Sequence, residues 1–385
     1  MIHSNITLIL TLSLLIWGSP FISKMVRLPI PPVEIALGSI FAYVGFITSN
    51  QYFNLIAEVG FLYLMFLAGM EVDLKQITRS SKMVIQKSIL FIFLMSFFAV
   101  TMGMMFRLNM ITIISMPLIS IGLLASLAKN YGKEEPWLKM AFIAGILGEI
   151  ISIAALTILD AASTSGFGTE LLIKVGYLLV FMVAVYLIYR LLHLLFWWYP
   201  ELKNTLVPKI DTSDQDIRLA MALFFILIAV MFSLDLELAL GAFIAGIAIS
   251  AFFHHEKQLE AKMSSLGFGF LVPLFFIHVG ASFDLASLAV EGVVYGALLI
   301  TVLMILSRIF AAVVLRKISG SRDALLIALS LSMPLTLLVA VATIGYETKV
   351  IDILSYYQLI LASIFEIIIS MTVIKILVAK RKEEN

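Results

Sequence analysis

The chain has 385 residues, of which 62% are apolar and 13% are charged, and its formal net charge is +1. Globular proteins carry about 45–50% apolar and about 25% charged residues, so a soluble fold of this length has too little interior for such a composition. The charge balance provides no basic face for nucleic acid. The lack of cysteine excludes disulfides, thiolate metal sites and a cysteine nucleophile. The composition therefore predicts an all-α polytopic membrane protein.

Apolar runs bounded by charged residues or by Pro/Gly clusters predict thirteen transmembrane helices, because one crossing takes about 20 residues. The runs lie near residues 5–22, 31–49, 56–73, 84–106, 111–128, 137–162, 170–195, 215–234, 236–253, 266–284, 289–315, 323–345 and 353–379. The first run is followed, rather than preceded, by Lys24 and Arg27, and no small-residue cleavage site follows it. We therefore interpret it as a retained helix and not as a signal peptide.

Basic residues fall almost entirely on one side of this predicted array. The odd-numbered loops and the C-terminal tail hold Lys24, Arg27, Lys75, Arg79, Lys82, Lys129, Lys133, Lys139, Lys203, Lys209, Arg218, Lys257, Lys262, Arg316, Lys317, Arg322, Lys380, Arg381 and Lys382. The opposite side holds Arg107 and Lys349, and Lys174 lies just inside the seventh span. The positive-inside rule then predicts a multi-pass protein of the cell (inner) membrane with its N-terminus outside and its C-terminus in the cytoplasm.

The spans leave little sequence for any other domain. We expect a single membrane domain over residues 1–385, with a cytoplasmic linker at residues 196–214 between its halves. No glycine-rich nucleotide fingerprint opens a helix, so we expect no soluble regulatory domain.

Four segments of the first half recur in the same order in the second half. The paired segments begin at Glu34 and Glu237, Gly60 and Gly269, Ser115 and Ser332, and Gly148 and Phe365. The partners lie seven spans apart, and because seven is odd each pair crosses the membrane in opposite directions. This pattern predicts an inverted-topology repeat of residues 31–162 and 236–379, which is typical of secondary transporters with a site near the bilayer midplane.

Pro117 and Pro334 occupy the equivalent fifth and twelfth spans. Proline removes a backbone hydrogen bond, and in lipid the freed carbonyls must find another partner or line a cavity. Small and polar residues surround both prolines: Ser115, Ser120, Gly122, Ser126, Ser332, Thr336 and Thr343. We predict two discontinuous helices whose ends offer carbonyls to a cation and amides to an anion. A pair of ordinary proline kinks is the alternative.

Glu149 lies in the middle of the sixth span. A charged side chain at that depth costs about 2.5–3.5 kcal/mol on insertion scales, which is tolerable when the carboxyl is protonated or binds a cation. Ser152 follows three residues later on the same helical face. We predict that Glu149, with Ser120 and Ser152, binds a proton and a cation by turns. A structural acid that is hydrogen-bonded to a neighbouring helix is the alternative.

Two further ionisable groups lie deep in the predicted membrane. Arg308, in the eleventh span, stays protonated, so it needs either an anion or helix C-terminal carbonyls as partners. Glu366, in the thirteenth span, is the candidate anion, and both arrangements remain open as supporting charge. We expect the acids near span ends to be solvated: Glu34, Glu58, Glu71, Asp73 and Asp160.

Three segments of the chain resemble a known family. The segments 66–74, 240–246 and 273–280 are similar to recurring segments of monovalent cation:proton antiporters, in the branch that includes potassium-efflux systems and bacterial sodium/proton exchangers. Together with the thirteen spans, the likeness covers almost the whole chain. It implies a sodium/proton antiporter-like fold, with two crossed discontinuous helices in a core domain and a homodimer formed by a separate bundle.

The resemblance also implies roles for individual residues. The family's ion-binding acid in the sixth helix corresponds to Glu149, which follows Gly148 where the family has Asp or Asn, and the basic residue of the eleventh helix corresponds to Arg308. The unwound part of the fifth helix corresponds to about residues 120–125, with Ile121 where Thr is usual. In the twelfth helix, the residues 333–336 (Met-Pro-Leu-Thr) replace a common Arg-Gly-Glu run.

One acid with an arginine resembles the electroneutral members of the family. We therefore predict a secondary active transporter that exchanges Na⁺, or Li⁺ or K⁺, for H⁺ at 1:1 by alternating access, with Na⁺ at Glu149 and no cofactor. A potassium/proton antiporter, a channel and a transporter-like ion sensor are the alternatives. An enzyme is not predicted, because no paired catalytic acids or Ser/His arrangement lies within the spans.

Overall fold

The structure is a computed structural model that describes residues 2–26, 28–48, 50–72, 80–132, 134–165, 169–199, 214–236, 238–253 and 257–384. These residues form helices and the turns that connect them, and no strand occurs in these ranges. The predicted all-α class is therefore confirmed. Most of the predicted linker, residues 200–213, lies outside the described residues, as do Asp73 and Glu237.

The helices follow the predicted spans in chain order. They are α1 (Ile2–Val26), α2 (Ile30–Tyr43), α3 (Gln51–Met70), α4 (Lys82–Met105), α5a (Met110–Ser115), α5b (Leu124–Tyr131), α6 (Pro136–Ser165), α7 (Thr169–Trp198), α8 (Gln215–Ser233), α9 (Leu238–Phe253), α10 (Lys257–Leu266, continued by a π-helical turn Gly267–Leu271 and by Val272–Ser282), α11 (Val293–Ala311), α12a (Arg316–Ser330), α12b (Leu335–Glu347) and α13 (Ile353–Glu384). Each predicted span coincides with one helix or with one interrupted pair.

The tenth helix begins earlier than the apolar pattern indicates. The first part of α10, Lys257–Leu266, is rich in charged and polar residues, so hydropathy alone placed its start near residue 266. Polar residues also favour helix outside lipid. A short 3₁₀ turn, Ala312–Leu315, joins α11 to α12a. Gly320 has φ 81° and ψ 165°, which is not helical, so it separates residues 316–319 from the helix of the twelfth span that follows.

The chain divides into two compact units. Unit 1 comprises Met1–Asn50, Lys75–Ile153 and Phe276–Asn385, and unit 2 comprises Gln51–Leu74 and Ala154–Phe275. Unit 1 contains both interrupted helices, the part of α6 that carries Glu149, and α11 and α13 with their deep charges. All the predicted site residues therefore belong to unit 1.

Glycine brings helix backbones into direct contact within unit 1. A Cβ atom added at Gly38 of α2 would lie 2.2 Å from the carbonyl oxygen of Ile277 in α10, and one added at Gly280 would lie 1.9 Å from that of Ile35. Ser39 Oγ also donates to the Gly280 carbonyl over 2.7 Å. Small residues at helix interfaces permit this close approach in membranes.

Unit 2 contains a second glycine contact, between α3 and α9. An added Cβ at Gly246 would lie 2.0 Å from the Phe66 carbonyl oxygen, and one at Gly69 would lie 2.1 Å from that of Phe243. The predicted repeat equates α2 with α9 and α3 with α10. If α2 is replaced by its equivalent α9, and α10 by its equivalent α3, the α2–α10 contact becomes the α9–α3 contact. The two glycine contacts are therefore consistent with the predicted repeat.

Glu34 is buried, so the expectation that it is solvated is wrong. Only 2% of its surface is exposed, and Ser19 Oγ of α1 donates to Glu34 Oε1 over 2.9 Å. The physical reason is that α1 packs against the start of α2, so a residue one turn inside that helix loses access to solvent. Glu58, in contrast, is exposed on α3.

Candidate functional site

The fifth helix is interrupted in the middle of the span. The Asn109 side chain caps α5a by accepting from Thr112 N over 2.8 Å, and the helix ends at Ser115. Residues 116–123, which include Pro117, are not helical, and α5b begins at Leu124. We call residues 116–123 the first break. Proline cannot donate to the preceding turn, and here the chain does not resume a helix for two turns.

The twelfth helix is interrupted at the equivalent place. α12a ends at Ser330 and α12b begins at Leu335, with Pro334 as its N-cap residue. Residues 331–334 form the second break. The predicted discontinuous helices are therefore confirmed, and the alternative of two ordinary proline kinks is wrong.

Arg308 of α11 joins the two breaks. Its guanidinium donates to the carbonyl oxygens of Met116 and Leu118 in the first break, over 3.0 and 2.7 Å, and to that of Leu331 in the second, over 3.1 Å. A fourth bond, of 2.9 Å, reaches the Met304 carbonyl in the preceding turn of α11. Arg308 is 0% exposed. One fixed positive charge thus binds carbonyls in both breaks that have no helical partner.

Glu366 of α13 lies beside the same guanidinium. Its Oε1 atom is 3.7 Å from Arg308 Nη1, and both side chains are 0% exposed. The sequence left open whether Arg308 hydrogen-bonds to helix carbonyls or forms an ion pair with Glu366. In the structure it hydrogen-bonds the carbonyls and forms a longer ion-pair contact with Glu366.

Glu149 projects from α6 onto the first break. The backbone N–H of Ile121 donates to Glu149 Oε2 over 3.2 Å, and Ser120 Oγ donates to Oε1 over 3.4 Å. Ser120 Oγ also lies 3.4 Å from Thr336 Oγ1 of α12b, next to the second break. Glu149 is 0% exposed. A carboxylate, two hydroxyls and a backbone N–H of the first break therefore meet at one buried place.

Ser152 hydrogen-bonds to the first break, and Gly122 is part of that break. Ser152 Oγ accepts from Ile119 N over 2.9 Å, and Gly122 N donates to Ser120 Oγ over 3.4 Å. Ser152 thus replaces a hydrogen bond that the interrupted helix cannot make for itself. Of the two predicted serines, Ser120 hydrogen-bonds to Glu149, whereas Ser152 hydrogen-bonds to the backbone of the first break.

Two glycines let α6 lie directly against the first break. A Cβ atom added at Gly148 would lie 2.4 Å from Ile119 Cδ1, and one at Gly145 would lie 2.7 Å from Ile121 Cγ2. A longer side chain before Glu149 would push Ile119 away, which is a physical reason for glycine where the resembling family has Asp or Asn. The spacing of these glycines, one helical turn, is a signal that the sequence reasoning missed.

The prolines predicted that backbone groups become free at the two interruptions, but not which of these groups binds which side chain. The structure assigns the Ile121 N–H to Glu149 and the carbonyls of Met116, Leu118 and Leu331 to Arg308. Among the described residues, no cluster of three or more His, Cys, Asp and Glu side chains could hold a metal ion. The oxygen groups that are present, a carboxylate and two hydroxyls, are ligands that suit hard cations.

Comparison with known proteins agrees with this architecture. The chain is 24% identical over 415 residues to the YjbQ protein of Bacillus subtilis (strain 168), covering 100% of this chain and 65% of that protein. It is 24% identical over 354 residues to the Na(+)/H(+) antiporter of Enterococcus hirae, covering 89% of each chain. The solved structure of the sodium proton antiporter MjNhaP1 from Methanocaldococcus jannaschii at pH 8 matches with a TM-score of 0.66 at 16% identity, over 96% of this chain and 95% of that chain.

The profile of one protein family covers nearly the entire chain. The family described as sodium/hydrogen exchanger, transmembrane, matches residues 9–380. The membership predicted from sequence is confirmed at this level, and the branch within the family stays a prediction. This match, together with the all-helical architecture of the described residues and the two interrupted helices that Arg308 connects, identifies the chain as a member of the transmembrane sodium/hydrogen exchanger family.

Proposed function

We propose that the protein exchanges Na⁺ for H⁺ across the cell membrane and that Glu149 carries both ions. The observation that carries the proposal is a buried carboxylate held by Ile121 N and Ser120 Oγ of the first break, with Thr336 Oγ1 of α12b 3.4 Å from the same hydroxyl. The Enterococcus hirae relative and the solved neighbour are both named as sodium/proton antiporters, which supports the same pair of ions.

A single carboxyl accounts for exchange with simple stoichiometry. When Glu149 is ionised it attracts a cation, and the hydroxyls of Ser120 and Thr336 serve as neutral oxygen ligands. When Glu149 is protonated, its carboxyl group is neutral and no longer binds the cation. Arg308 keeps its proton, so it contributes a constant charge. One proton then moves against one cation without net charge transfer, which is electroneutral exchange.

Alternating access follows from the cost of burying charge. An empty ionised carboxylate is expensive inside a membrane, whereas a protonated or cation-bound one is neutral. The conformational change that moves the site between the two sides is therefore favoured in the loaded states. We also propose that the protein acts as a homodimer in the cell membrane, with Na⁺ and H⁺ as substrates and no resident cofactor. Proteoliposomes that compare Na⁺, Li⁺ and K⁺ side by side would define the cation.

The variant Glu149→Gln tests the proposal, because it preserves side-chain shape and removes the ionisable group. In everted vesicles we expect it to abolish the Na⁺-dependent dequenching of a pH-sensitive dye. The matched control is Glu58→Gln, the same substitution at an exposed position on α3, which should exchange at the wild-type rate. Wild-type dequenching by Glu149→Gln would overturn the proposal.

A further inference from the structure

Glu366 lacks the contacts that a buried ionised carboxylate normally has. The side chain is 0% exposed, and neither carboxyl oxygen has a hydrogen-bond partner among the residues that the structure describes. An ionised carboxylate without hydrogen bonds is very costly in an apolar interior, and nearly all buried polar side chains find partners. An orphan carboxyl beside an arginine therefore needs a physical explanation.

The neighbouring guanidinium is already engaged elsewhere. Arginine has five N–H donors, and four hydrogen bonds run from Arg308 to carbonyl oxygens. The 3.7 Å between Arg308 Nη1 and Glu366 Oε1 exceeds hydrogen-bond distance. An ionised carboxylate so close to arginine usually forms shorter, often bidentate bonds, which are about twice as strong as bonds between neutral groups. The observed arrangement suits a neutral carboxyl.

Loss of a proton from Glu366 would change which groups Arg308 binds. The ionised carboxylate would compete for the N–H groups that now hold the carbonyls of both breaks. The first break also supplies Ile121 N and Ser120 Oγ to Glu149. The state of Glu366 is thus connected to the cation site through one side chain.

We propose that Glu366 is a second intramembrane proton-binding site, separate from Glu149, and that its proton keeps Arg308 bound to the two helix breaks. Among the described residues, the charged group that faces Glu366 is Arg308 on α11. Two serines lie about one turn from Glu366 on its own helix: Ser363 donates to the Ile360 carbonyl over 2.6 Å, and Ser370 donates to the Ser332 carbonyl in the second break over 3.4 Å. The ligand of the site is a proton alone. The coupling to transport rests on the function proposed above, whereas the proton site itself does not.

Infrared difference spectroscopy tests the site without any transport measurement. Spectra of purified Glu149→Gln protein at low and high pH should show a protonated-carboxyl C=O band that disappears as the pH rises. The double variant with Glu366→Gln should lack this band. Other buried carboxyls, such as Glu34, contribute equally to both proteins and cancel in the comparison. Identical difference spectra of the two proteins would overturn the proposal.

The pH dependence of exchange tests the coupling to the cation site. We expect the ratio of apparent Na⁺ affinities between Glu366→Gln and the wild type to change at least about threefold between about pH 6 and about pH 9, because only the wild type gains or loses this proton. A structural role would give a ratio that is constant with pH, and that result would overturn the coupling.

If Glu366→Gln does not yield monodisperse protein, the variant Glu366→Asp provides a second test of the same site. An aspartic acid at this position should shift the frequency of the titrating C=O band, and an unshifted band would assign the proton to another group. If Glu149→Gln kept wild-type exchange, the proposed function would fail while the assignment of this band would stand.

Discussion

Arg308 is suited to its position by the geometry of its side chain. The guanidinium is planar and presents donors in several directions, whereas lysine concentrates three donors at one nitrogen. This arrangement of donors lets Arg308 hydrogen-bond at the same time to carbonyls of both breaks and to a carbonyl of its own helix. The charge of Arg308 and the shape of its donor set are both needed.

The variant Arg308→Lys should therefore be destabilised although it keeps the charge. Each buried carbonyl left without a partner costs about 1–3 kcal/mol, so we expect the melting temperature in detergent to fall by about 5 °C or more. The control is Arg316→Lys, the same change at an exposed position at the start of α12a, which should melt like the wild type. Equal melting of Arg308→Lys and the wild type would show that lysine can replace the four bonds.

Glu149 illustrates how far residue-level reasoning reaches. A lone acid within an apolar run predicts a functional group, because an idle charge at that depth is too costly. Its partners are a backbone N–H and a serine hydroxyl 28 and 29 residues away. The residue types predicted the acid and Ser120, but not the backbone N–H of Ile121 that also holds the carboxylate.

At the level of helices, proline and arginine act together. Proline removes one hydrogen bond, which alone produces a kink. A break of several residues frees more carbonyls and N–H groups, and these are tolerated in a membrane only where other protein groups bind them. In the first break, Arg308 donates to the carbonyls of Met116 and Leu118, and Ser152 accepts from the N–H of Ile119. The breaks are stable because the tertiary structure supplies the partners.

Close helix contact through glycine leads to a second stability prediction. Gly280→Ala would place a Cβ 1.9 Å from the Ile35 carbonyl, so α2 and α10 must separate, at a typical cost of about 1–3 kcal/mol. Gly18→Ala in α1 is the control, because its Cβ would meet nothing within 4 Å and alanine favours helix. Thermal unfolding in detergent should show a lower melting temperature for Gly280→Ala only. A wild-type melting temperature for Gly280→Ala would contradict the close contact.

For the whole molecule, the apolar runs determine the order of the helices, and the distribution of lysine and arginine predicts the orientation of the chain in the membrane. The chain contains no cysteine, so single cysteines can report the side of the membrane without background. Lys317 and Val350 are exposed, at the start of α12a and in the turn before α13, on opposite predicted sides.

We expect a membrane-impermeant maleimide to label Val350→Cys in right-side-out vesicles and Lys317→Cys in everted vesicles. The physical reason is the excess of lysine and arginine in the odd-numbered loops, which favours their retention in the cytoplasm. The cysteine-free wild type is the control for unspecific labelling. The reverse labelling pattern would invert the predicted topology.

The sequence by itself determined the all-helical membrane class, the order of the helices and the places where two helices break, and it predicted Glu149 as the acid of the candidate site. These features follow from local properties: apolar length, proline chemistry and the cost of an isolated charge. Only the tertiary structure decided that Arg308 binds both breaks, that Ser152 accepts from the backbone of the first break, and that Glu34 is buried. Such contacts join residues far apart in the chain, and their energies depend on distances that a linear pattern does not contain.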